Sequence, residues 1–168
     1  MSDLTQQAGV ALSGGQFDDA LELFDQARIA EPDSSVAHYG WAETAFMRMT
    51  IDMAEDIPAA LVMRSYKKAM ALDEENIEYV SSFANFCLDC GRIPMAIKEY
   101  LRLEKMAELN EIPVDDTLFE ASRLIVEAIE RLDRDNPICQ PWLKQALIWA
   151  VGGLGYSVSE AIETLSEE

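Results

Sequence analysis

The sequence predicts an all-α fold, and three observations support that prediction. Apolar residues recur at steps of three and four, as in Phe17, Ala20 and Phe24, which is the spacing of one face of an α-helix. Glycines and prolines, such as Gly15 and Pro32, interrupt these segments where helices are expected to end. The same helical pattern then returns further along the chain, which indicates repeated helix pairs.

Residues 3–34 contain the first of these helix pairs. Gly14 and Gly15 can end the first helix, because glycine commonly closes a helix in the left-handed backbone conformation. Pro32 ends the second helix, since a proline cannot extend a helix beyond its first turn. Acidic residues take the face of the second helix that lies opposite its apolar face: Asp18, Asp19, Glu22 and Asp25.

The pattern of that second helix recurs 76 residues later in the chain. Matching residues are Gly15, Phe17, Ala20 and Phe24 in the first copy and Gly91, Ile93, Ala96 and Tyr100 in the later one. A middle copy matches through Val62, Tyr66 and Ala69. The offset equals two periods of about 34 residues with a short addition, which falls near residues 50–58.

A helix–turn–helix period of about 34 residues is typical of the tetratricopeptide repeat (TPR), and this chain resembles that family over residues 1–110. The family pattern of Trp, A-x3-F and Pro is carried by Trp41-Ala42, Ala20-x3-Phe24, Ala96-x3-Tyr100 and Pro32. The resemblance implies a right-handed α-α superhelix, a TPR-like solenoid. Its repeats would be 1–34, 35–76 with an insertion near 50–58, and 77–110.

Residues 111–168 depart from the period, and we expect them to form capping helices. Apolar spacing predicts one helix from about Pro113 to about Arg134 and a second from Pro141 to about Val151. A capping-box pattern, Ser157-x-x-Glu160, predicts a short last helix over 158–166. An array of repeats needs its final apolar face covered, which is the role expected for these helices.

Charge and composition narrow the classes of partner. The chain has a formal net charge of −18, from 31 acidic and 13 basic side chains. Such an excess repels phosphate backbones and anionic headgroups, so we expect no nucleic acid partner and no membrane insertion. No secretory signal opens the chain and its 3 cysteines are an odd number, which favours reduced thiols and a cytoplasmic location.

Residues that could support catalysis are isolated in the sequence. His38 is the one histidine, and the repeat alignment gives it a helix-packing position. Cys87-x-x-Cys90 lies at the end of a helix, where the helix dipole does not lower a thiol pKa, and no second pair completes a zinc site. No phosphate-binding or nucleophile motif is present. We therefore expect a non-enzymatic protein with no metal and no cofactor.

The resemblance implies a binding surface instead of an active site. In the family, the first helices of the repeats line a concave groove that holds peptides. The residues at those positions are Tyr39, Glu43, Phe46, Met47, Glu78, Asn85, Leu88 and Asp89. Most bases fall on second helices, which face outward in the family: Arg64, Lys67, Lys68, Lys98, Arg102 and Lys105.

The implied groove is apolar at its centre and acidic around it. It would suit an apolar or basic protein segment, as in an adaptor or co-chaperone-like protein. One branch of the family grips a carboxylate in this groove, but residues such as Gly9 and Glu78 at the matching positions do not suit an anion. We therefore expect the groove not to bind acidic tails. The alternative is that these residues only cover the surface of the helices and do not form a binding site.

A second apolar surface lies at Leu147–Tyr156. Leu147 and Trp149 point to different sides of a helix, and Ile148 and Val151 complete an apolar ring. A helix that is apolar all round is either buried or at an interface. Burial beneath the last repeat and contact with a second copy are both open. Contact with a second copy would make the chain a self-assembling structural scaffold.

Overall fold

Eight α-helices form the parts of the chain that the computed structural model describes, which are residues 2–132 and 136–155. They are α1 (Asp3–Ser13), α2 (Phe17–Ala30), α3 (Ser35–Ile51), α4 (Ala59–Leu72), α5 (Ile77–Asp89), α6 (Ile93–Leu109), α7 (Asp115–Glu130) and α8 (Gln140–Gly153). A short 3₁₀ helix, Pro137–Cys139, precedes α8. These residues contain no β-strand, so the predicted all-α class is confirmed.

The chain divides into two compact units, Met1–Phe86 and Cys87–Glu168. The first unit contains α1 to α4 and most of α5. The second contains the end of α5 and the helices α6 to α8. The division falls inside α5, and it does not coincide with a repeat boundary predicted from the sequence.

Two equivalent turns show why the repeat pattern begins with glycine. Gly15 and Gly91 have φ angles of 72° and 69°, the left-handed region in which glycine has no steric penalty. The residue after each glycine donates a backbone hydrogen bond to the preceding helix. The Gln16 N–H donates to the Ala11 carbonyl, and the Arg92 N–H donates to the Cys87 carbonyl. These bonds satisfy carbonyl groups that the helix ends leave without partners, as the Schellman motif does.

Serine side chains begin two of the helices. Ser2 accepts a hydrogen bond from the Thr5 N–H at the start of α1, and Ser34 accepts one from the Ala37 N–H at the start of α3. Each bond satisfies a backbone donor that the first helical turn leaves without a partner.

The insertion expected near 50–58 would fall at the end of α3 and in the connection that follows it. α3 continues to Ile51, and α4 begins only at Ala59. Arg48 holds this segment through an ion pair with Asp56, at 3.0 Å between Nη1 and Oδ1. A second ion pair joins Arg48 Nε to Asp18 Oδ1 of α2 at 2.9 Å.

Small residues bring the helices of the first unit close together. Five buried alanines lie along α2 and α3: Ala20, Ala27, Ala37, Ala42 and Ala45. Gly40 of α3 faces the ring of Phe24 from α2 so closely that a Cβ atom there would overlap the ring. The small side chains therefore let the aromatic rings fill the space between neighbouring helices.

In the second unit, α7 and α8 form a helix pair, and both differ slightly from their predicted bounds. α7 ends at Glu130 instead of continuing to about Arg134, and the backbone turns at Arg131. α8 begins at Gln140 and continues to Gly153. The helix predicted over 158–166 lies outside the described residues. In the described part of the chain, no helix has the length and apolar character needed to cross a membrane.

Gly40 and Gly9 offer a matched test of the close helix approach, because both are helical glycines. A Cβ atom at Gly40 would stand 2.2 Å from Phe24 Cε1, so we expect Gly40→Ala to lower the free energy of unfolding by about 1–3 kcal/mol. Gly9 has nothing within 4 Å of that position, so Gly9→Ala should raise it by about 0.5–1 kcal/mol. Chemical denaturation measures both, and effects of the same sign would contradict the packing described.

Candidate functional site

Three tyrosines from successive helices of the first unit meet in one cluster. The ring of Tyr39 from α3 stacks on Tyr79 from α5, with centroids 4.3 Å apart and planes at 26°. The same ring meets the edge of Tyr66 from α4 at 6.2 Å. Tyr66 and Tyr79 are buried and Tyr39 is partly exposed. The cluster therefore fixes Tyr39 at the surface by packing it against two buried rings.

Hydrogen bonds connect this cluster to two carboxylates. The hydroxyl of Tyr66 donates to Glu43 Oε1 at 2.5 Å. The hydroxyl of Tyr39 donates to Glu78 Oε1 at 3.4 Å and lies 3.0 Å from Ser82 Oγ. We call Tyr39, Glu43, Tyr66, Glu78, Tyr79 and Ser82 together the tyrosine–glutamate site.

Helical spacing explains why these side chains share a surface. Tyr39, Glu43 and Phe46 stand at positions i, i+4 and i+7 of α3, and therefore lie on one face of that helix. Glu78 and Ser82 have the i, i+4 relation on α5. The hydrogen bonds between Tyr39 and the α5 residues show that these two faces meet.

The site disfavours additional negative charge. Burial raises the pKa of Glu43, and the nearby charge of Glu78 adds to the effect, while hydrogen bonds with Tyr66 and Ser82 oppose it. Burial also raises the pKa of Tyr39, with further increases from the charges of Glu43 and Glu78. Both shifts have the direction expected where carboxylates are partly removed from water and close to each other. A cation placed there would relieve the repulsion between them.

Apolar side chains extend the site along α3. Phe46 is partly exposed and meets the edge of Phe86 at 5.4 Å between ring centroids. Met47 is 37% exposed. Asn85 of α5 is exposed as well. The surface therefore combines carboxylates with accessible carbon, which suits an amphipathic ligand.

Two of the predicted groove residues belong to the second unit. Leu88 is 7% exposed, so it offers little surface to a ligand, contrary to the apolar contact expected of it. Asp89 is exposed at the end of α5. The predicted residues that lie in the first unit are Tyr39, Glu43, Phe46, Met47, Glu78 and Asn85.

Arg48, the arginine of α3, does not neutralise the carboxylates of the site. Arg48 is largely buried, and its guanidinium is paired with Asp18 and Asp56. Its positive charge is therefore already balanced, and the carboxylates of the tyrosine–glutamate site keep their negative character.

Sequence reasoning missed the contributions of Tyr66, Tyr79 and Ser82. Tyr66 was identified from the sequence only as a matching position of the repeat, whereas its hydroxyl also holds Glu43. Tyr79 was not singled out. The i, i+4 pairing of Glu78 with Ser82 was the available signal, since it places a hydroxyl beside a carboxylate on α5.

The cysteines do not form a reactive site in the described residues. Cys87 is buried, and burial together with the charge of Asp89 raises the pKa of the Cys90 thiol. A raised pKa lowers the fraction of reactive thiolate, as the position at the end of a helix predicts. The described part of the chain contains no cluster of three or more residues that could hold a metal ion.

At α8, the three candidate oligomer contacts lie in different environments. Trp149 is 3% exposed, its ring meets Tyr100 at 5.9 Å, and its indole N–H donates to Glu104 Oε2 at 2.6 Å. Trp149 is therefore not available to a second chain in this conformation. Leu147 is 58% exposed and Val151 is partly exposed.

Comparison with solved structures shows the kind of fold that carries this site. The chain is similar to the crystal structure of MamA, with a TM-score of 0.63 and 18% sequence identity over 98% of this chain and 80% of that chain. It also has a likeness to the Yersinia enterocolitica type III secretion translocator chaperone SycD, with a TM-score of 0.48 and 16% identity over 98% of this chain and 84% of that one. No protein-family model and no curated protein sequence matches the chain. The likeness to MamA shows the fold, a TPR-like α-α solenoid.

Glu43→Gln tests the electrostatic description of the site. Glutamine keeps an acceptor for the Tyr66 hydroxyl but cannot ionise. Because burial raises the pKa of Glu43 above its usual value of 4.5, ionisation opposes folding of the wild type as pH rises through the raised pKa. Below pH 4.5 the carboxyl is mostly protonated in both the folded and the unfolded state, so its ionisation no longer lowers the free energy of unfolding.

We therefore expect the free energy of unfolding of Glu43→Gln, relative to wild type, to increase from acidic to neutral pH. Urea denaturation at a series of pH values measures that difference. A difference that decreases with rising pH would show that the folded state stabilises the ionised carboxylate, contrary to this description.

Proposed function

We propose that this chain is a non-enzymatic protein–protein interaction module that binds an apolar and basic segment of a partner. The binding surface is the tyrosine–glutamate site together with Phe46, Met47 and Asn85 of the first unit. In this proposal the protein acts as an adaptor or co-chaperone-like protein, and it works in the cytoplasm.

The observation that supports this proposal best is a pair of carboxylates around Tyr39, of which Glu43 is partly buried and Glu78 is exposed. Glu43 is held by the buried Tyr66, and Glu78 is linked to the same surface through the Tyr39 hydroxyl. An arginine or lysine of a partner could pair with both carboxylates. Charge-assisted hydrogen bonds to carboxylates are stronger than neutral ones.

The aromatic rings add to the attraction for a cation. A guanidinium or ammonium group is drawn to the face of a tyrosine ring, and this attraction increases when the group loses water. Tyr39 is partly exposed and its position is set by Tyr79 and Tyr66. Because the ring is already ordered, binding costs little additional side-chain entropy.

Apolar contact would come from the continuation of the same helical face. Phe46 and Met47 lie about two helical turns beyond Tyr39 and offer carbon surface to a leucine or phenylalanine of the partner. The net charge of −18 would increase the rate of encounter with a basic segment, while the local contacts would determine the affinity.

A labelled short peptide of leucine and arginine tests this proposal by fluorescence anisotropy. We expect Glu43→Gln/Glu78→Gln to weaken binding by at least about tenfold, which corresponds to about 1.4 kcal/mol. We expect Glu31→Gln/Glu108→Gln, which removes the same charge from exposed positions, to leave the affinity near that of wild type. Added salt should weaken binding to wild type because it screens the charge pairs.

Equal losses in the two variants would contradict the proposed site, because they would show that only the net charge matters. A leucine–glutamine peptide that binds as tightly as the leucine–arginine peptide would contradict the role of the carboxylates. Circular dichroism of each variant verifies that it remains folded.

A self-assembling scaffold is the second candidate function, and an apolar cavity in the second unit favours it. The cavity has a volume of about 500 Å³ between α7 and α8, and its lining is almost entirely carbon. Phe119, Val126 and Leu147 line it and are exposed. Exposed apolar surface of this kind often marks an interaction site.

Sedimentation velocity over a range of concentrations tests self-assembly. If the α8 surface joins two copies, wild type should show a sedimentation coefficient that increases with concentration, and Leu147→Glu should abolish the increase, because a carboxylate in an apolar interface is strongly unfavourable. A wild type that stays monomeric at all concentrations would exclude the scaffold.

A further inference from the structure

A cavity in the first unit gathers positive charge in a strongly acidic protein. It lies between α2, α3 and α4 and has a volume of about 400 Å³. Its walls include Arg28, His38, Trp41, Leu61, Arg64 and Lys68. Three of the 13 basic side chains and the single histidine therefore share one small space, although acids outnumber bases more than twofold in the sequence. We call this space the basic cavity.

Two of the three cations in the basic cavity already have acidic partners. Arg28 pairs with Asp25 at 2.6 Å, and its guanidinium carbon lies 3.9 Å from the centroid of the Trp41 ring. Lys68 pairs loosely with Asp33, at 3.8 Å between Nζ and Oδ1. Within the described residues, Arg64 has no carboxylate within 4.0 Å. Among the residues that the structure describes, Arg64 is therefore the cavity cation that no carboxylate neutralises.

The other polar groups of the basic cavity are occupied by the protein itself. Ser65 donates a hydrogen bond to the backbone carbonyl of His38 at 2.8 Å. The Nε2–H of His38 donates to the carbonyl of Pro32 at 2.8 Å. These bonds fix the floor of the cavity and leave the Arg64 guanidinium as the group best placed to meet a ligand.

Most of the remaining wall is carbon. Leu61 is exposed, and Trp41 contributes a largely buried ring. The aliphatic stems of the arginine and lysine side chains add to this surface, because such side chains present apolar stems below charged ends. A ligand that fits would need an apolar part and a single negative charge.

We propose that the basic cavity binds a carboxylate carried on an apolar stem, supplied by the C-terminal residue or an acidic side chain of a partner protein. Arg64 would pair with the carboxylate through its planar guanidinium, with Lys68 nearby, while Leu61 and Trp41 contact the stem. The cavity volume lies in the range of small-ligand sites and accommodates one residue of this size.

This proposal is independent of the tyrosine–glutamate site. Each residue of an α-helix is rotated by about 100° from the one before it, so His38 and Trp41 lie on a different face of α3 from Tyr39 and Glu43. The basic cavity also lies away from the groove positions Gly9 and Glu78, which do not suit an anion. The expectation that the groove rejects acidic tails is therefore compatible with a carboxylate at this separate place.

Two-dimensional ¹H–¹⁵N NMR of the full chain tests the proposal with small probes. N-acetyl-leucine presents a C-terminal carboxylate on an apolar stem, and N-acetyl-glutamate α-amide presents a side-chain carboxylate. N-acetyl-leucine amide has the stem without the charge. We expect at least one carboxylate probe to shift the Trp41 indole N–H signal, and the amide to leave it unchanged. The relative affinities of the two acids identify the source of the carboxylate.

Arg64→Gln provides the decisive variant, and Lys67→Gln is its matched control. Both positions are exposed on α4 and both changes remove one positive charge, but Lys67 does not line the basic cavity. Arg64→Gln should weaken binding of the carboxylate probe by at least about tenfold, whereas Lys67→Gln should leave it unchanged.

Four results would overturn the proposal. These are no shift with either acid, equal binding of the acid and the amide, equal losses in the two variants, or tighter binding of inorganic phosphate than of either carboxylate. The last result would show that charge alone determines binding and that the apolar stem contributes nothing.

Discussion

The buried side chain of Tyr66 is the contact on which the candidate site of the first unit depends. Its ring lies within 6.2 Å, between centroids, of Tyr39, Phe83 and Phe86, so it joins α3, α4 and α5. Its hydroxyl donates to Glu43, whose carboxylate is partly buried. One side chain therefore both packs three helices and sets the electrostatic character of the surface. Because these groups are ordered before any ligand arrives, the site is preorganised.

Much of the fold could be predicted from the sequence because its local signals agree with one another. The three-and-four spacing of Phe17, Ala20 and Phe24 marks a helix, and the glycines at 15 and 91 mark the turns that precede equivalent helices. The insertion near 50–58 stays a prediction that rests on the spacing between matching segments. α7 ends earlier than predicted, because helix ends depend on local capping that apolar spacing does not report.

The site could be predicted only in part, because contacts between helices depend on tertiary packing. The TPR resemblance implied Tyr39 and Glu43 as groove positions, but the stacking of Tyr39 on Tyr79 joins residues from separate helices. Leu88 was expected at the surface and is buried, because α5 is apolar on more than one face and its rotation is therefore ambiguous from sequence. The sequence also left open whether Trp149 is buried or contacts a second copy. In the structure, its indole N–H donates a hydrogen bond to Glu104.

Net charge alone conceals how the charges of this chain are arranged. The tyrosine–glutamate site concentrates carboxylates, while the basic cavity of the same unit brings Arg28, Arg64 and Lys68 together. The TPR resemblance placed Arg64 and Lys68 on an outward-facing helix. It did not predict that Arg28 lies next to them, because Arg28 belongs to the preceding helix pair. Two surfaces of opposite charge on one small unit would allow it to bind two kinds of segment.

The most direct test of the central claim is the pKa of the Glu43 side chain, measured by carboxyl carbon NMR with and without the bound leucine–arginine peptide. The account predicts that the raised pKa of the free protein falls when the peptide binds, because a cation of the peptide then stabilises the ionised carboxylate. A peptide that binds but leaves this pKa unchanged, or raises it further, would show that its cations do not reach Glu43 and would contradict the account.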